Sequence, residues 1–299
     1  MLLIIGASGV IGRALMAEVK KDGIPYLGTF NKHNNSEFKL SHFDISNNTL
    51  GDLIKKTQGV KTVILLAAYT NPTWIANNKS IANNVNVVAI KNFIDQVVNY
   101  GLRFIFVSSM EVFDGTKGNY KENDLPSPIN TYGKMKLEIE KYISGLNIDK
   151  SVVRLGWNVG GKAADRCPVS LTYETLTKPG AIMAKDNLFS IVDVRDTAVG
   201  LKKIALEPLV NYVHIAPETV ISRVELANVI IRSSVNKNLM KFKVGRHTDI
   251  KYNEPRGKNM TINADTSNSL FKIHYRTTTE TITDKVTLID EYHGKINGR

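Results

Sequence analysis

The sequence predicts an α/β protein built on a doubly wound, Rossmann-type parallel sheet, with a smaller mixed α/β lobe toward the C-terminus. Three observations carry this. The apolar run Leu2-Leu3-Ile4-Ile5 stops at Gly6, and glycines recur at 9 and 12 ahead of a helix-compatible segment, 13–21. Short apolar runs then alternate with helical stretches as far as about residue 155, the pattern of strand-helix-strand units. From about 162 the strict alternation fails. The division expected is a dinucleotide-binding domain over 1–160 and a mainly substrate-binding lobe over 161–299, with later segments such as 190–215 returning to the first.

The opening run reads as a buried parallel strand that passes through a tight turn into a helix over about 10–21. Gly6 permits a turn that a Cβ would obstruct, Gly9 lets a ligand approach the backbone, and Gly12 lets the helix pack near the strand. Unpaired N–H groups and the positive end of the helix dipole then face a pyrophosphate. Gly6, Ser8, Gly9, Val10, Ile11 and Gly12 are the expected cofactor turn.

A second strand follows at 26–30. A fold that prefers NAD places Asp or Glu at the end of this strand to bind the adenosine ribose. Here the residues are Asn31, Lys32 and His33. Lys32 suits a 2′-phosphate, so NADP(H) is expected over NAD(H). Asp44 and Ile45 come next, after a short strand. Asp44 fits an adenine-edge contact and fits equally the start of a helix reaching about Gln58.

The fourth strand, 62–68, ends in small residues. Ligands sit at the C-terminal end of an open α/β sheet, so Ala67, Ala68 and Tyr69 are expected along the cofactor path. A long helix over 79–100 carries Asn86, which reads either as a solvent-facing filler or as a residue holding a water beside the site. The fifth strand, 103–109, brings hydroxyls to its tip at Ser108 and Ser109. A polar loop leads to a helix from Thr131 to about Ser144. Tyr132 and Lys136 stand four apart and share one face of it. A sixth strand, 151–155, runs into Gly156 and Trp157. Beyond it lie a strand at 190–193, a helix at 194–206, a strand at 212–215 and a helix at 222–236. The last sixty residues read as short strands and turns.

A hydroxyl at a strand tip followed by Tyr-x-x-x-Lys is a carbonyl-reduction site. Tyr132 would give its proton to the oxygen as hydride reaches the carbon. A phenol, with a reference pKa of about 10, is a poor acid-base catalyst near neutrality. The Lys136 ammonium is expected to lower it and to bind the nicotinamide ribose. Ser109 would stabilise charge developing on the oxygen.

These residues resemble those of the extended short-chain dehydrogenase/reductases. Within that group they are most similar to dTDP-4-dehydrorhamnose reductases and their relatives, which include the regulatory β subunit of methionine adenosyltransferase. The resemblance rests on Ser108-Ser109-x-x-Val112-Phe113-Asp114-Gly115 and on Tyr120-x-Glu122-x-Asp124-x-Pro126-x-Pro128-x-Asn130-x-Tyr132-Gly133-x-x-Lys136-x-x-x-Glu140. Val153-Arg154-x-x-Trp157-x-x-Gly160 and Pro255-Arg256-x-x-Asn259 add to it. It is strong over 104–160 and thin over 162–250. It implies reduction of the 4-keto group of a nucleotide-linked deoxysugar, in deoxysugar or polysaccharide synthesis. By the same resemblance Trp157 packs near the sugar, and Arg256 and Asn259 close the nucleotide end. One departure stands out: Met110-Glu111 replaces the usual Asp-Tyr. Related dehydratases carry Asp-Glu there, and a thioether cannot donate a proton, so dehydration is disfavoured. Glu111 remains either a contact to a sugar hydroxyl or an ordinary loop acid. The alternatives are an epimerase or dehydratase of the same superfamily, or a cofactor-binding regulatory subunit without turnover.

Composition sets the remaining bounds. The net charge of +11 suits an anionic nucleotide substrate. The basic residues are scattered and not interleaved with aromatics, so nucleic acid is not expected as a partner. No apolar run approaches the ~20 residues that span a bilayer, and the N-terminus lacks the form of a signal peptide. Cys167 is the only cysteine, which excludes an internal disulfide and fits a reducing compartment. The cytoplasm, no membrane, no metal and a homodimer of the kind common in such folds are the expectations.

Overall fold

A computed structural model describes residues 1–34, 37–55 and 57–296. Seven strands form one sheet: β1 (Leu2–Ile5), β2 (Tyr26–Phe30), β3 (Leu40–His42), β4 (Thr62–Leu65), β5 (Arg103–Ser109), β6 (Lys150–Leu155) and, much later in the chain, Tyr212–Ile215. Every neighbouring pair runs parallel. The order is Tyr212–Ile215, β6, β5, β4, β1, β2, β3. It reverses direction between β1 and β4, and that crevice is where such sheets bind ligands.

Strand alternation builds two cores. Leu3 and Ile5 point to one face, where they meet Phe93, Ile94, Val97, Ile139 and Ile143. Leu2 and Ile4 point to the other, against Leu15, Met16, Val19, Leu201 and Ile204. The helical partners come from α1 (Val10–Lys21), from α5 (Ile90–Asn99) and α6 (Thr131–Ser144), and, much later in the chain, from the helix Val194–Leu206; α2 (Leu50–Ile54), α3 (Pro72–Asn77) and α4 (Lys79–Asn83) complete the first half. A sheet covered on both faces reads as continuous apolar runs, and β1 and β4 are buried throughout.

The second half adds β7 (Trp157–Val159), α7 (Pro168–Leu176), β8 (Ile182–Ala184), β9 (Leu188–Phe189), β10 (Ile191–Asp193), α8 (Val194–Leu206), β11 (Tyr212–Ile215, the sheet's edge strand), β12 (Ile221–Ser222), α9 (Arg223–Ser233), β13 (Lys243–Gly245), α10 (Asp265–Phe271) and α11 (Thr278–Ile296). α8 packs against α1, and β11 joins the main sheet. α7, α9 and α11 close a third core around Tyr173, Leu176, Leu226, Ile230, Ile282 and Val286. A fourth, around Met110, Val112, Phe113, Tyr120, Met260 and Ile262, joins the two halves.

Three expectations need correction. The helix after Asp44 starts at Leu50, because Asp44 forms its own turn: Oδ1 accepts from Ser46 N and Oδ2 from Asn47 Nδ2. Such local side-chain bonds compete with helix. The 79–100 helix is continuous but contains a π-helical stretch, Asn84–Ala89. The last sixty residues are not only short strands and turns: besides β13 they hold α10 and the 19-residue α11, whose Ile282, Val286 and Ile289 recur at helical spacing on a buried face.

Candidate active site

The turn after β1 separates three glycines by their work. Gly6 has φ +85°, and a Cβ on it would stand 2.8 Å from Ala67 N. A Cβ on Gly12 would stand 2.5 Å from Ala7 Cα. Gly9 has an ordinary φ of −69°, and a Cβ there would meet only Gly6 O, at 3.3 Å. The fold therefore requires Gly6 and Gly12, whereas exposed Gly9 is far less constrained by the fold and leaves the backbone open from outside. No side chain caps α1, so the first-turn N–H groups of Val10, Ile11 and Gly12 lack acceptors in the helix. This cradle and its dipole fit a dinucleotide pyrophosphate. Arg13 fixes the turn from behind, donating Nη1 to Ser8 O at 2.8 Å and pairing with Asp165.

Around the crevice, Asn31 and Lys32 are exposed just past β2, Asp44 is tied up in its turn, and Ile45 packs on the core. The hydrogen-bonded part of β4 stops at Leu65, short of the expected Ala68. Leu66 and Ala67 both donate to Ile5 O, which brings Ala67 against Gly6. Ala68 and Tyr69 follow, partly buried. Asn86, in the π-helical stretch, accepts from Tyr69 N and donates to Tyr69 O, both at 2.8 Å. It holds the Tyr69 backbone as a strand neighbour would, and so fixes the loop that follows β4.

Ser109, Tyr132 and Lys136 meet beyond the tip of β5. Asn130 caps α6 by accepting from Gly133 N at 2.8 Å. A Cβ on Gly133 would stand 2.0 Å from Glu111 O, so only glycine lets α6 dock this closely on the Met110–Val112 turn. Tyr132 and Lys136 are both buried. The Lys136 ammonium donates to Val107 O at 2.8 Å and lies 5.8 Å from the centre of the Tyr132 ring. Ser109 lies near enough to the Tyr132 hydroxyl to pull its pKa down, and it accepts from Glu111 N at 3.2 Å.

The electrostatics correct one expectation. Burial, and next the Glu111 charge, push the Tyr132 phenol above its ordinary range, with Ser109 the one group holding it down. Lys136 does not lower it, because desolvation dominates and the ammonium is turned to the Val107 carbonyl. The Tyr132 phenol is thus neutral near pH 7. Burial lowers Lys136 itself to about 8, against the pull of Glu140.

Most of the residues expected on the substrate side have partners inside the fold. Met110 is a core residue, 1% exposed, and does not line the site. Glu111 is neither free nor solvent-facing: it is buried, and Asn130 Nδ2 donates to its Oε2 at 2.6 Å. The Trp157 ring is engaged by Phe189, 4.1 Å between centroids, and by the Arg223 guanidinium at 4.5 Å. Asn259 Oδ1 accepts from Thr261 Oγ1 at 2.8 Å, and its amide fills the space above Gly118, so it stitches two loops together. Arg256 is partly buried.

Sequence reasoning gave no role to several residues that organise the site, although it quoted Asn130, Glu140 and Arg154 within the motifs. Asn130 links the α6 cap to Glu111, and an Asn before a helix is a readable cap signal. Arg154 and Glu140, each 1% exposed, form a two-pronged ion pair (Nη2–Oε2 2.7 Å, Nε–Oε1 3.1 Å). Ser108 donates to Glu140 at 2.5 Å, so this pair locks α6 to β5 and β6. Arg223 had no sequence signal beyond its place after Ser222.

Residues 1–290 match the profile described as RmlD substrate binding domain. The chain belongs to that family. It is 32% identical over 154 residues to methionine adenosyltransferase 2 subunit beta of Bos taurus (52% of this chain, 46% of the relative). It is 30% identical over 160 residues to a dTDP-4-dehydrorhamnose reductase of Aggregatibacter actinomycetemcomitans (53% and 52%). The match thus spans about half the length of these curated relatives. Among solved structures, MoeE5 with UDP-glucose and NAD superposes with a TM-score of 0.82 at 20% identity, over 98% of this chain and 99% of that one. The dTDP-4-dehydrorhamnose reductase of Bacillus anthracis with NADP gives 0.79 at 20% identity, over 96% and 98%. These share the fold of the extended short-chain dehydrogenase/reductases, and their bound cofactors are NAD in one and NADP in the other. Among the described residues no helix is long and apolar enough to cross a membrane, and no cluster of three or more His, Cys, Asp or Glu could hold a metal.

Proposed function

We propose that this chain is an NADPH-dependent reductase of a keto sugar nucleotide, of the 4-keto-6-deoxy class. The observation that carries the reading is the meeting of Ser109, a neutral Tyr132 and Lys136 beyond β5, in the same sheet as the uncapped α1 N-terminus and the Gly9 cradle. Gly9, Val10, Ile11 and Gly12 would hold the pyrophosphate, and Ala67, Ala68 and Tyr69 would line the way to the nicotinamide. The bound cofactor supplies hydride to the carbonyl carbon. Tyr132 Oη gives its proton to the carbonyl oxygen, and Ser109 steadies that oxygen as charge gathers on it. The proton leaves a phenolate in a buried site, which needs a cation close by. Lys136, charged below about 8, supplies it. Burial, with the Glu111 charge adding to it, keeps the phenol protonated beforehand. The preference for NADP(H) rests on exposed Lys32 and on the lack of an acid from Asn31 to His33.

A second reading, a cofactor-binding regulatory subunit, is favoured by the likeness to methionine adenosyltransferase 2 subunit beta. One experiment separates the two. NADPH and NADH are titrated by fluorescence, then consumption is followed with a panel of 4-keto-6-deoxy sugar nucleotides. The reductase reading expects NADPH consumption, and a Tyr132→Phe variant that binds NADPH normally but turns over about 10²–10⁴-fold more slowly. Tight cofactor binding without consumption by any of the panel supports the regulatory reading instead.

A further inference from the structure

One carboxylate of the second half of the chain reaches the cofactor turn. After β7 the backbone turns back through Gly160 (φ +136°) and Gly161 (φ +73°), conformations that favour glycine. The turn lays residues 160–165 against the start of α1: a Cβ on Gly161 would stand 2.9 Å from Val10 Cγ1 and 2.4 Å from Asp165 Oδ2. Asp165 closes this loop on itself. Its Oδ2 accepts from Lys162 N at 2.6 Å, and its N–H donates to Lys162 O at 3.0 Å. The same Oδ2 accepts from Arg13 Nη2. The pair is largely buried, with side chains 16% and 21% exposed.

Arg13 passes this hold to the cradle. Its Nη1 donates to Ser8 O at 2.8 Å, while the N–H of the same peptide, on Gly9, donates to Gly6 O at 3.1 Å. The Ser8–Gly9 peptide is thus pinned on both sides, and its plane sets how the chain enters α1 and presents the N–H groups of Val10, Ile11 and Gly12. On the far side, α11 anchors the loop. Lys285 is 1% exposed and spends its ammonium hydrogens on Lys162 O, and on Ala163 O and Asp165 O, both at 3.2 Å. All three donors of a buried ammonium are then satisfied. A continuous relay runs from α11 through loop 160–165, Asp165 and Arg13 to the Ser8–Gly9 peptide. A second fastening of α1 lies about two turns down the helix, where Lys202 of α8 pairs with Glu18 at 2.6 Å and with Asp22. It touches no part of the turn and supplies a control.

We propose that Asp165, acting through Arg13, is a positioning residue for the cofactor: it makes loop 160–165 a strap that holds the Ser8–Gly9 peptide in its pyrophosphate-binding geometry. Dinucleotide affinity is thereby coupled to the second half of the chain. The inference rests on the dinucleotide part of the reading above, and its test needs no keto sugar.

NADPH is titrated by fluorescence into the full chain and into its Asp165→Asn, Arg13→Met, combined Asp165→Asn/Arg13→Met and Lys202→Met variants. Asp165→Asn is expected to weaken NADPH about tenfold, and Arg13→Met by as much. The combined variant should lose no more than either alone, because the two residues act as one unit. Lys202→Met should bind NADPH as the parent does, whatever it loses in stability. Without cofactor, amide hydrogen exchange in Asp165→Asn should quicken at residues 6–12 and stay unchanged across β5 and α6. Where a keto sugar is turned over, KM for NADPH should rise while kcat at saturation holds. If Asp165→Asn does not fold, Arg13→Lys decides. It keeps the charge but not the planar fork that spans Ser8 O and Asp165, so it must weaken NADPH more than Lys202→Met does. Parental NADPH affinity in Asp165→Asn overturns the proposal, and so do additive losses in the combined variant. A Lys202→Met protein as weak as Asp165→Asn also overturns it, because any loosening of α1 would then suffice. A parent that binds neither NADPH nor NADH overturns it together with the cofactor reading. Failure of the reductase reading alone looks different: NADPH binds and responds to Asp165, yet no keto sugar is reduced.

Discussion

Arg154 and Arg223 invite comparison, because both guanidinium groups lie over two aromatic rings and both sit at the seam between the halves of the chain. Arg154 lies 5.0 Å from Phe113 and 4.6 Å from Tyr212. Its charge is met by Glu140 inside the fold. Arg223 has the same stacking but only amide and hydroxyl partners. Stacking and burial are common to the two, so they do not tell structure from function; the counter-ion does. The cofactor turn repeats the lesson in backbone form. Gly12 answers to Ala7 within the fold, while Gly9 faces outward with nothing to avoid but Gly6 O. A group whose demand is met inside the chain holds the fold together, and one whose demand is left open is the better place to look for a role beyond it.

The largest effect expected from this contrast is on Arg154. Arg154→Met strands Glu140 as a buried charge with only Ser108 and should cost about 3–5 kcal/mol of stability, read by urea denaturation. Because the pair locks α6 to β5 and β6, turnover should fall with it. Arg223→Met, by contrast, should unfold at nearly the parent's midpoint. If both variants lose stability alike, the comparison fails.

Next in size is the glycine pair. Gly12→Ala drives a methyl into Ala7 backbone and should cost about 1–3 kcal/mol. Gly9→Ala should leave the melting temperature unchanged while NADPH affinity drops about tenfold. A Gly9→Ala protein that binds NADPH as well as the parent would remove Gly9 from the cofactor cradle.

A smaller and reversible effect lies in pH. Lys136 is lowered to about 8 by burial, so it carries charge below that value and loses it above. The phenolate left by Tyr132 is stabilised only on the acid side. The rate of reduction should therefore hold level up to about pH 8 and then fall roughly tenfold per unit. A profile that stays flat to pH 10 would separate Lys136 from the proton-transfer step.

The first half of this molecule was legible because its rules are local and repeated. Apolar runs, glycine spacing and the four-residue step from Tyr132 to Lys136 each name an element and a face. Strands β1, β2 and β5 and helices α1 and α6 stand where the pattern put them. The second half depends on contacts that no spacing records. Arg223 meets Trp157 across 66 positions of chain only after β7, β9 and α9 have folded. Asp44 misled because Asx turns and helix caps use the same residue types. The Tyr132 phenol misled for a different reason. Proximity of Lys136 is visible in sequence, whereas the depth of burial that outweighs it is not.

The smallest expected effect tests the cofactor preference, and it sharpens the same contrast at the surface. Lys32 is exposed and has no ion pair among the described residues, so its charge is open in the sense that Arg223's is. Exposure sets a low ceiling, because solvent screens such a charge and surface pairs are worth roughly 0–1 kcal/mol. Lys32→Ala should then weaken NADPH only about threefold to fivefold and leave NADH untouched, with the gap shrinking as salt is raised. Stability should not move, since no contact in the fold is lost. Equal weakening of both cofactors would place Lys32 at the shared adenosine and not at a 2′-phosphate. No change for either would put the discrimination elsewhere on the loop after β2.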